Sequence, residues 1–142
     1  MKKVKELMTK DVVTINKEKT IVDAAKVIDE RGVGSIVVTD DGNIVGVLTE
    51  RDIITRCVAK ECDAAKTKVS DIMSTPVVAI DPEADILDAA KLMVSKMIRR
   101  LPVLDGGKLV GIVTTYDLVK NVSKGKRKED SLIYLAAEYE VF

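Results

Sequence analysis

The sequence has no histidine and no tryptophan, and only one Phe and three Tyr in 142 residues. Without His, Ser-His and Cys-His nucleophilic sites and His-based zinc sites are excluded, because each needs an imidazole as base or ligand. Two cysteines, Cys57 and Cys62, are too few for a four-thiolate zinc site or a disulfide-built scaffold. No apolar signal core follows the opening Met-Lys-Lys-Val-Lys-Glu, and no apolar run nears the roughly 20 residues of a membrane span. These absences lead to the expectation of a soluble, cytoplasmic protein with reduced thiols, Cys57 a helix packing residue and Cys62 a linker thiol. Net charge is also missing, since 23 Lys and Arg balance 23 Asp and Glu. No global field then attracts polyphosphate, which disfavours a nucleic-acid or anionic-membrane binder. An anion must be held here by local groups.

What the chain does have is a duplication. Shifted by 65 positions, Val4 to Ile54 aligns with Val69 to Val119 without a gap. The matches include Val12/Val77, Val13/Val78, Ile15/Ile80, Asp23/Asp88, Gly42/Gly107, Gly46/Gly111, Thr49/Thr114 and Asp52/Asp117. Patterning would align apolar positions alone, but not matched Gly, Thr and Asp. At about 50 residues each unit sits near the lower limit for independent folding, so the two are expected to pack together.

Each unit reads as strand, helix, strand, strand, helix. The β-branched runs Val12 to Ile15 and Val77 to Ile80 predict a first strand. Apolar residues at 21, 24, 25 and 28, and again at 86, 89, 90 and 93, follow the i, i+3, i+4, i+7 stripe of an amphipathic helix over Thr20 to Arg31 and Asp85 to Lys96. Ser35 to Thr39 and Ile44 to Leu48 flank Asp40-Asp41-Gly42-Asn43, and Asp105-Gly106-Gly107-Lys108 recurs in the second unit, which is hairpin turn chemistry. A second helix starts near Thr49 and near Thr114. The domain reading is residues 1–60, a polar linker 61–68, residues 69–123, and a basic tether with a short helix over 124–142.

The segments with chemistry are Gly46-Val-Leu-Thr-Glu-Arg-Asp52 and Gly111-Ile-Val-Thr-Thr-Tyr-Asp117. In each, a strand ends at a Thr that opens a helix, and an Asp follows three residues on. The plain reading is a capping box, with Thr capping backbone N–H groups and the acid reaching back. The same geometry suits a ligand. A helix start favours an anion such as phosphate, and a carboxylate there can accept hydrogen bonds from vicinal sugar hydroxyls.

The whole pattern resembles the tandem CBS domain pair of cystathionine β-synthase type, or Bateman module. The resemblance rests on Met-x-x-x-Val-Val-x-Ile, Asp-Ala-Ala-Lys, Leu-Pro-Val-Leu-Asp and Gly-h-h-Thr-x-x-Asp (h apolar), and covers about Val4 to Val122. It implies an α+β fold of two βαββα repeats packed about a pseudo-twofold axis, with two clefts that take adenosyl compounds such as AMP, ADP, ATP or S-adenosylmethionine as regulatory ligands. Asp52 and Asp117 would bind ribose, Thr49 and Thr114 would lie near phosphate, and Val47 and Ile112 would touch the base. Arg51 and Tyr116, just before the acids, join the candidate set. Pro76, Val77 and Val78 would face the Asp52 site, and Val12 and Val13 the Asp117 site. A homodimer and a downstream protein partner are implied, with no membrane and no nucleic acid.

The two sites are not expected to be equal. Arg99 and Arg100 precede Leu-Pro-Val, where their repeat counterparts are Gly34 and Ser35. Guanidinium matches phosphate bidentately, so the site with Arg99, Arg100 and Asp117 is read as the stronger. The function implied is a non-enzymatic energy or metabolite sensor. The alternatives are an interaction scaffold with empty clefts, or a regulatory fragment similar to the CBS region of inosine monophosphate dehydrogenase.

Overall fold

The computed structural model describes residues 2–122. In chain order the elements are α1 (Val4–Leu7), β1 (Thr14–Asn16), α2 (Ile21–Arg31), β2 (Ser35–Asp40), β3 (Asn43–Thr49) and α3 (Glu50–Asp52). A π-helical run, Ile53–Val58, continues α3; then come α4 (Val69–Ile72), α5 (Ile86–Lys96), β4 (Arg100–Asp105), β5 (Lys108–Thr114) and α6 (Thr115–Val122). The fold is mixed α+β. The tether and short helix read over 124–142 lie outside the described residues.

Chain contacts divide the molecule into two units, and the division does not follow the repeats. One unit is Asp11–Val78; the other joins the N-terminal segment through Lys10 to the chain from Ala79 onward. The opening segment of each repeat is therefore exchanged. In the second unit, Val4 N–H donates to the Ala84 carbonyl at 2.9 Å and Lys5 N–H to that of Pro82 at 3.0 Å. In the first, Val69 N–H donates to Lys19 at 2.8 Å and Ser70 N–H to Lys17 at 3.1 Å. The stretch read as a linker is also packed: Val22 and Ile21 donate to the carbonyls of Ala64 and Thr67, each at 3.0 Å.

The hairpins follow the sequence closely. Strand β2 pairs antiparallel with β3, and β4 with β5. Their two-residue loops hold positive φ at both central positions, 50° and 80° at Asp41 and Gly42, 57° and 85° at Gly106 and Gly107. That is the type I′ turn whose twist matches the flanking strands. Helix α2 starts where Thr20 and Asp23 cap each other, and it ends at Gly32 in the left-handed conformation. Thr20 N–H donates to Asp23 and holds its carboxyl below the usual range.

The predicted first strand of the second repeat is a correction. In the first repeat β1 runs parallel to β2, with Val37 N–H bonded to the Val13 carbonyl at 3.0 Å and Lys17 N–H to Thr39 at 2.9 Å. In the second repeat those two donor positions are Pro102 and Pro82, which have no N–H. Only the central pairing survives, with Ile80 bridging Val103. The second repeat therefore has no regular first strand; Val77 and Val78 lie outside any strand, as do Val12 and Val13, since β1 begins only at Thr14.

The first unit's core is Ile15, Ile21, Ala24, Ile36, Val38, Leu48, Cys57, Val69 and Ile72. In the second unit Val4, Ala89, Met93, Leu101, Val103, Val113 and Val119 are buried. The exchanged segments lie across the hairpins at one glycine each. A Cβ on Gly46 would stand 2.6 Å from Met73 Sδ and 3.1 Å from the Ser74 carbonyl oxygen. On Gly111 it would stand 2.6 Å from Met8 Sδ and 3.0 Å from that of Thr9. Matched glycines and matched methionines are thus one contact, made twice. Gly111→Ala is expected to lower stability by about 1–3 kcal/mol, read by thermal denaturation, with part regained in a Gly111→Ala, Met8→Ala double variant. An unchanged Tm would show that the segment does not press on the strand.

Candidate functional site

Both Thr-x-x-Asp motifs form the capping box. Thr49 N–H donates to Asp52 Oδ2 at 3.0 Å, and Asp52 N–H donates back to Thr49 Oγ1 at 3.0 Å. Thr114 N–H donates to Asp117 Oδ2 at 2.8 Å, and Asp117 N–H to Thr114 Oγ1 at 3.3 Å. The Thr114 hydroxyl also reaches Asp117 Oδ2, at 3.1 Å, so its proton serves the cap. Each carboxylate is thereby fixed at the end of a strand, one turn into a helix.

Hairpin register supplies the neighbours. Arg100 pairs with Thr114, and Thr115 N–H donates to the Arg99 carbonyl at 2.9 Å. The structure thus brings Arg99, Arg100, Thr114, Tyr116 and Asp117 to one end of the β4–β5 hairpin. The same register in the first unit pairs Ser35 with Thr49 and bonds Glu50 N–H to the Gly34 carbonyl at 3.0 Å, so that Gly and Ser take the places of the two arginines. Val47 and Ile112 are half-buried positions between buried neighbours, on the strand face away from Gly46 and Gly111. Their backbones pair with Ser74 and Thr9 of the exchanged segments. Arg51 and Tyr116 are exposed on the first helical turn.

Pro76, Val77 and Val78 lie in the same unit as Asp52, with Pro76 exposed and the two valines half-buried. Val12 and Val13 belong to that unit as well. Val13 is partly buried against the first unit's core.

Two residues near Asp52 escaped the sequence reading. Ser74 Oγ donates to both carboxylate oxygens of Asp52 at 3.3 Å, and Arg56 Nε stands 3.8 Å from Oδ1. Arg56 also donates to the carbonyls of Ile72 at 3.0 Å and Met73 at 3.2 Å, tying the helix to the exchanged segment. The i, i+4 spacing of Asp52 and Arg56 was a readable signal; Ser74 was not, because its approach depends on the exchange. Asp52 is 8% exposed, and among the described residues it is the one buried charged group. The equivalent positions in the second repeat are Thr9 and Asn121, and among the described residues the side-chain hydrogen bonds of Asp117 run to Thr114. Asp117 is half-buried. One fold element thus carries two carboxylates, one largely satisfied from within and one more open.

Residues 4–59 and 69–124 each match the family model for the CBS domain. The chain belongs to the CBS-domain family. It is 42% identical over 121 residues to the CBS domain-containing protein YhcV of Bacillus subtilis, covering 85% of this chain and 86% of that one. A CBS-domain protein from Burkholderia ambifaria superposes with a TM-score of 0.84 at 32% identity, over 89% of this chain and 97% of the other. A hexameric CBS-CP12 protein from bloom-forming cyanobacteria matches with a TM-score of 0.77 at 30% identity, over 99% and 86% of the two chains. Some archaeal relatives are longer, the chain spanning between 33% and 60% of them. Proteins of this family are regulatory in kind. Among the described residues no helix is long and apolar enough to cross a membrane.

The inequality of the two CBS motifs is directly measurable. Ser74→Ala removes a donor from a buried carboxylate and is expected to cost about 1–2 kcal/mol in urea unfolding, whereas Thr9→Ala is expected to change stability by less than about 0.5 kcal/mol. Equal losses would contradict the asymmetry.

Proposed function

We propose that the chain is a regulatory module that binds an adenine nucleotide or a related adenosyl ligand chiefly at the Asp117 motif. The observation that carries this reading is the difference between the two carboxylates. Asp52 is occupied by Thr49, Ser74 and Arg56, while among the described residues the hydrogen bonds of Asp117 involve Thr114. Sugar hydroxyls donate to Asp117, each charge-assisted bond contributing about 1.5–3 kcal/mol. Ile112 offers an apolar surface to the base, and Arg99 and Arg100 answer the phosphates, a role that Gly34 and Ser35 lack in the other repeat. The capping box supports the site rather than competing with it, because it immobilises the carboxylate before the ligand arrives. Thr114 acts on the ligand through the carboxylate that it orients, since its hydroxyl is already engaged.

Ligand binding is read out, in this proposal, by a second copy of the chain or by a downstream protein, with no chemical turnover. Titration calorimetry with AMP and ATP checks it. Asp117→Asn keeps a capping oxygen and is expected to weaken binding about 10- to 100-fold, while Asp52→Asn changes it by less than about 3-fold. Arg100→Ala is expected to weaken ATP more than adenosine. No heat from any adenosyl ligand, or equal losses in the two Asp variants, would overturn the assignment.

A further inference from the structure

Cysteines 57 and 62 are expected from composition to be separate reduced thiols, and the structure instead joins them in a disulfide. The backbone explains why they meet. After the π-helical run, Glu61 N–H donates to the Val58 carbonyl at 3.1 Å and Cys62 N–H to that of Cys57 at 2.9 Å. Glu61 holds a left-handed φ of 57° between them. This is the Schellman arrangement of helix ends, in which the residue three from the end and the residue beyond the left-handed one commonly touch as an apolar pair. Here both members of that pair are cysteines, with Cα atoms 4.8 Å apart, within the separation that a disulfide spans. Their counterparts 65 residues on are Val122 and Arg127, so the second repeat has no such pair.

We propose that Cys57 and Cys62 form a thiol–disulfide exchange site, a clasp opened by low-molecular-weight thiols and closed by the corresponding disulfides. Cys57 is 1% exposed and Cys62 is half-buried, so attack falls on Cys62 Sγ. The thiolate of a small thiol forms a bond to Cys62 Sγ, the Cys57–Cys62 bond breaks, and Cys57 leaves with the electron pair and takes up a proton from water. A second small thiolate then attacks the small-molecule sulfur of the mixed disulfide and releases Cys62, which is protonated in turn. Two small thiols are oxidised to one disulfide, and the protein gains two electrons and two protons. The reverse sequence closes the clasp.

The clasp ends the helix that carries Asp52. Arg56, next to Cys57, spans from Asp52 to the carbonyls of Ile72 and Met73. With the disulfide closed, the final turn is covalently tied and Arg56 keeps that span; with it open, only backbone hydrogen bonds hold the turn. The first repeat's motif is thereby coupled to thiol redox state, whether or not a nucleotide binds at the second.

The full chain equilibrated in glutathione mixtures of set reduced-to-oxidised ratio, then acid-quenched, unfolded, alkylated and weighed intact, tests the exchange. The expected result is no alkylated thiol at the oxidised end and two at the reduced end. Amide hydrogen exchange at Ala59, Glu61 and Cys62 is expected to be at least about 10-fold faster in the reduced protein, with helix α5 unchanged. Cys62→Ser is expected to show the fast exchange without reductant. Two reactive thiols at every ratio, a disulfide that no ratio opens, or identical amide exchange in both states would overturn the proposal.

Discussion

A threonine and an aspartate three residues on, capping each other at a strand-to-helix junction, are the interaction on which both halves of this molecule depend. The cap decides where the strand stops, sets the direction of the helix and pins a carboxylate at a defined place. Thr49 with Asp52 and Thr114 with Asp117 do this with nearly the same bond lengths. What differs is everything around the carboxylate. The exchanged segment at the first junction brings a serine hydroxyl, and the following helix brings an arginine; at the second junction the same places hold Thr9 and Asn121. Duplication preserved the local backbone solution while the surroundings diverged.

The close approach of backbone to strand is the second constraint. Gly46 and Gly111 have no side chain to hold Met73 and Met8 away, and this allows the exchanged segments to bond to Val47 and Ile112. A bulkier residue would move the segment and, at the first junction, Ser74 with it. Packing at Gly46 therefore reaches the electrostatics of Asp52, six residues on in sequence.

Much of this was legible in the sequence. The 65-residue repeat, both hairpins with their glycine turns, helices α2 and α5 and the capping boxes all follow from short-range signals, namely periodicity, turn residues and cap spacing. The family resemblance also grouped Arg99 and Arg100 with Thr114 and Asp117, and the hairpin register sets Arg100 opposite Thr114. The misses are of other kinds. Pro82 and Pro102 delete the two donors that would extend the second repeat's first strand, a pairwise effect visible only once the partner strand is known. The exchange of α1 and α4 between units is long-range, so neither Ser74 at Asp52 nor Met8 at Gly111 could be read from spacing. The joined cysteines depend on a left-handed Glu61, a conformation that sequence does not mark for a residue other than Gly or Asn.

The central claim is that two motifs with the same cap differ in whether their carboxylate is open to a ligand. Backbone amide NMR during a titration with AMP addresses it most directly, because Thr49, Asp52, Thr114 and Asp117 each report separately. Shifts at Thr114, Thr115 and Asp117 that saturate before any change at Thr49 to Asp52 are the predicted result. Equal shifts in the two motifs, or shifts confined to Thr49 to Asp52, would contradict it.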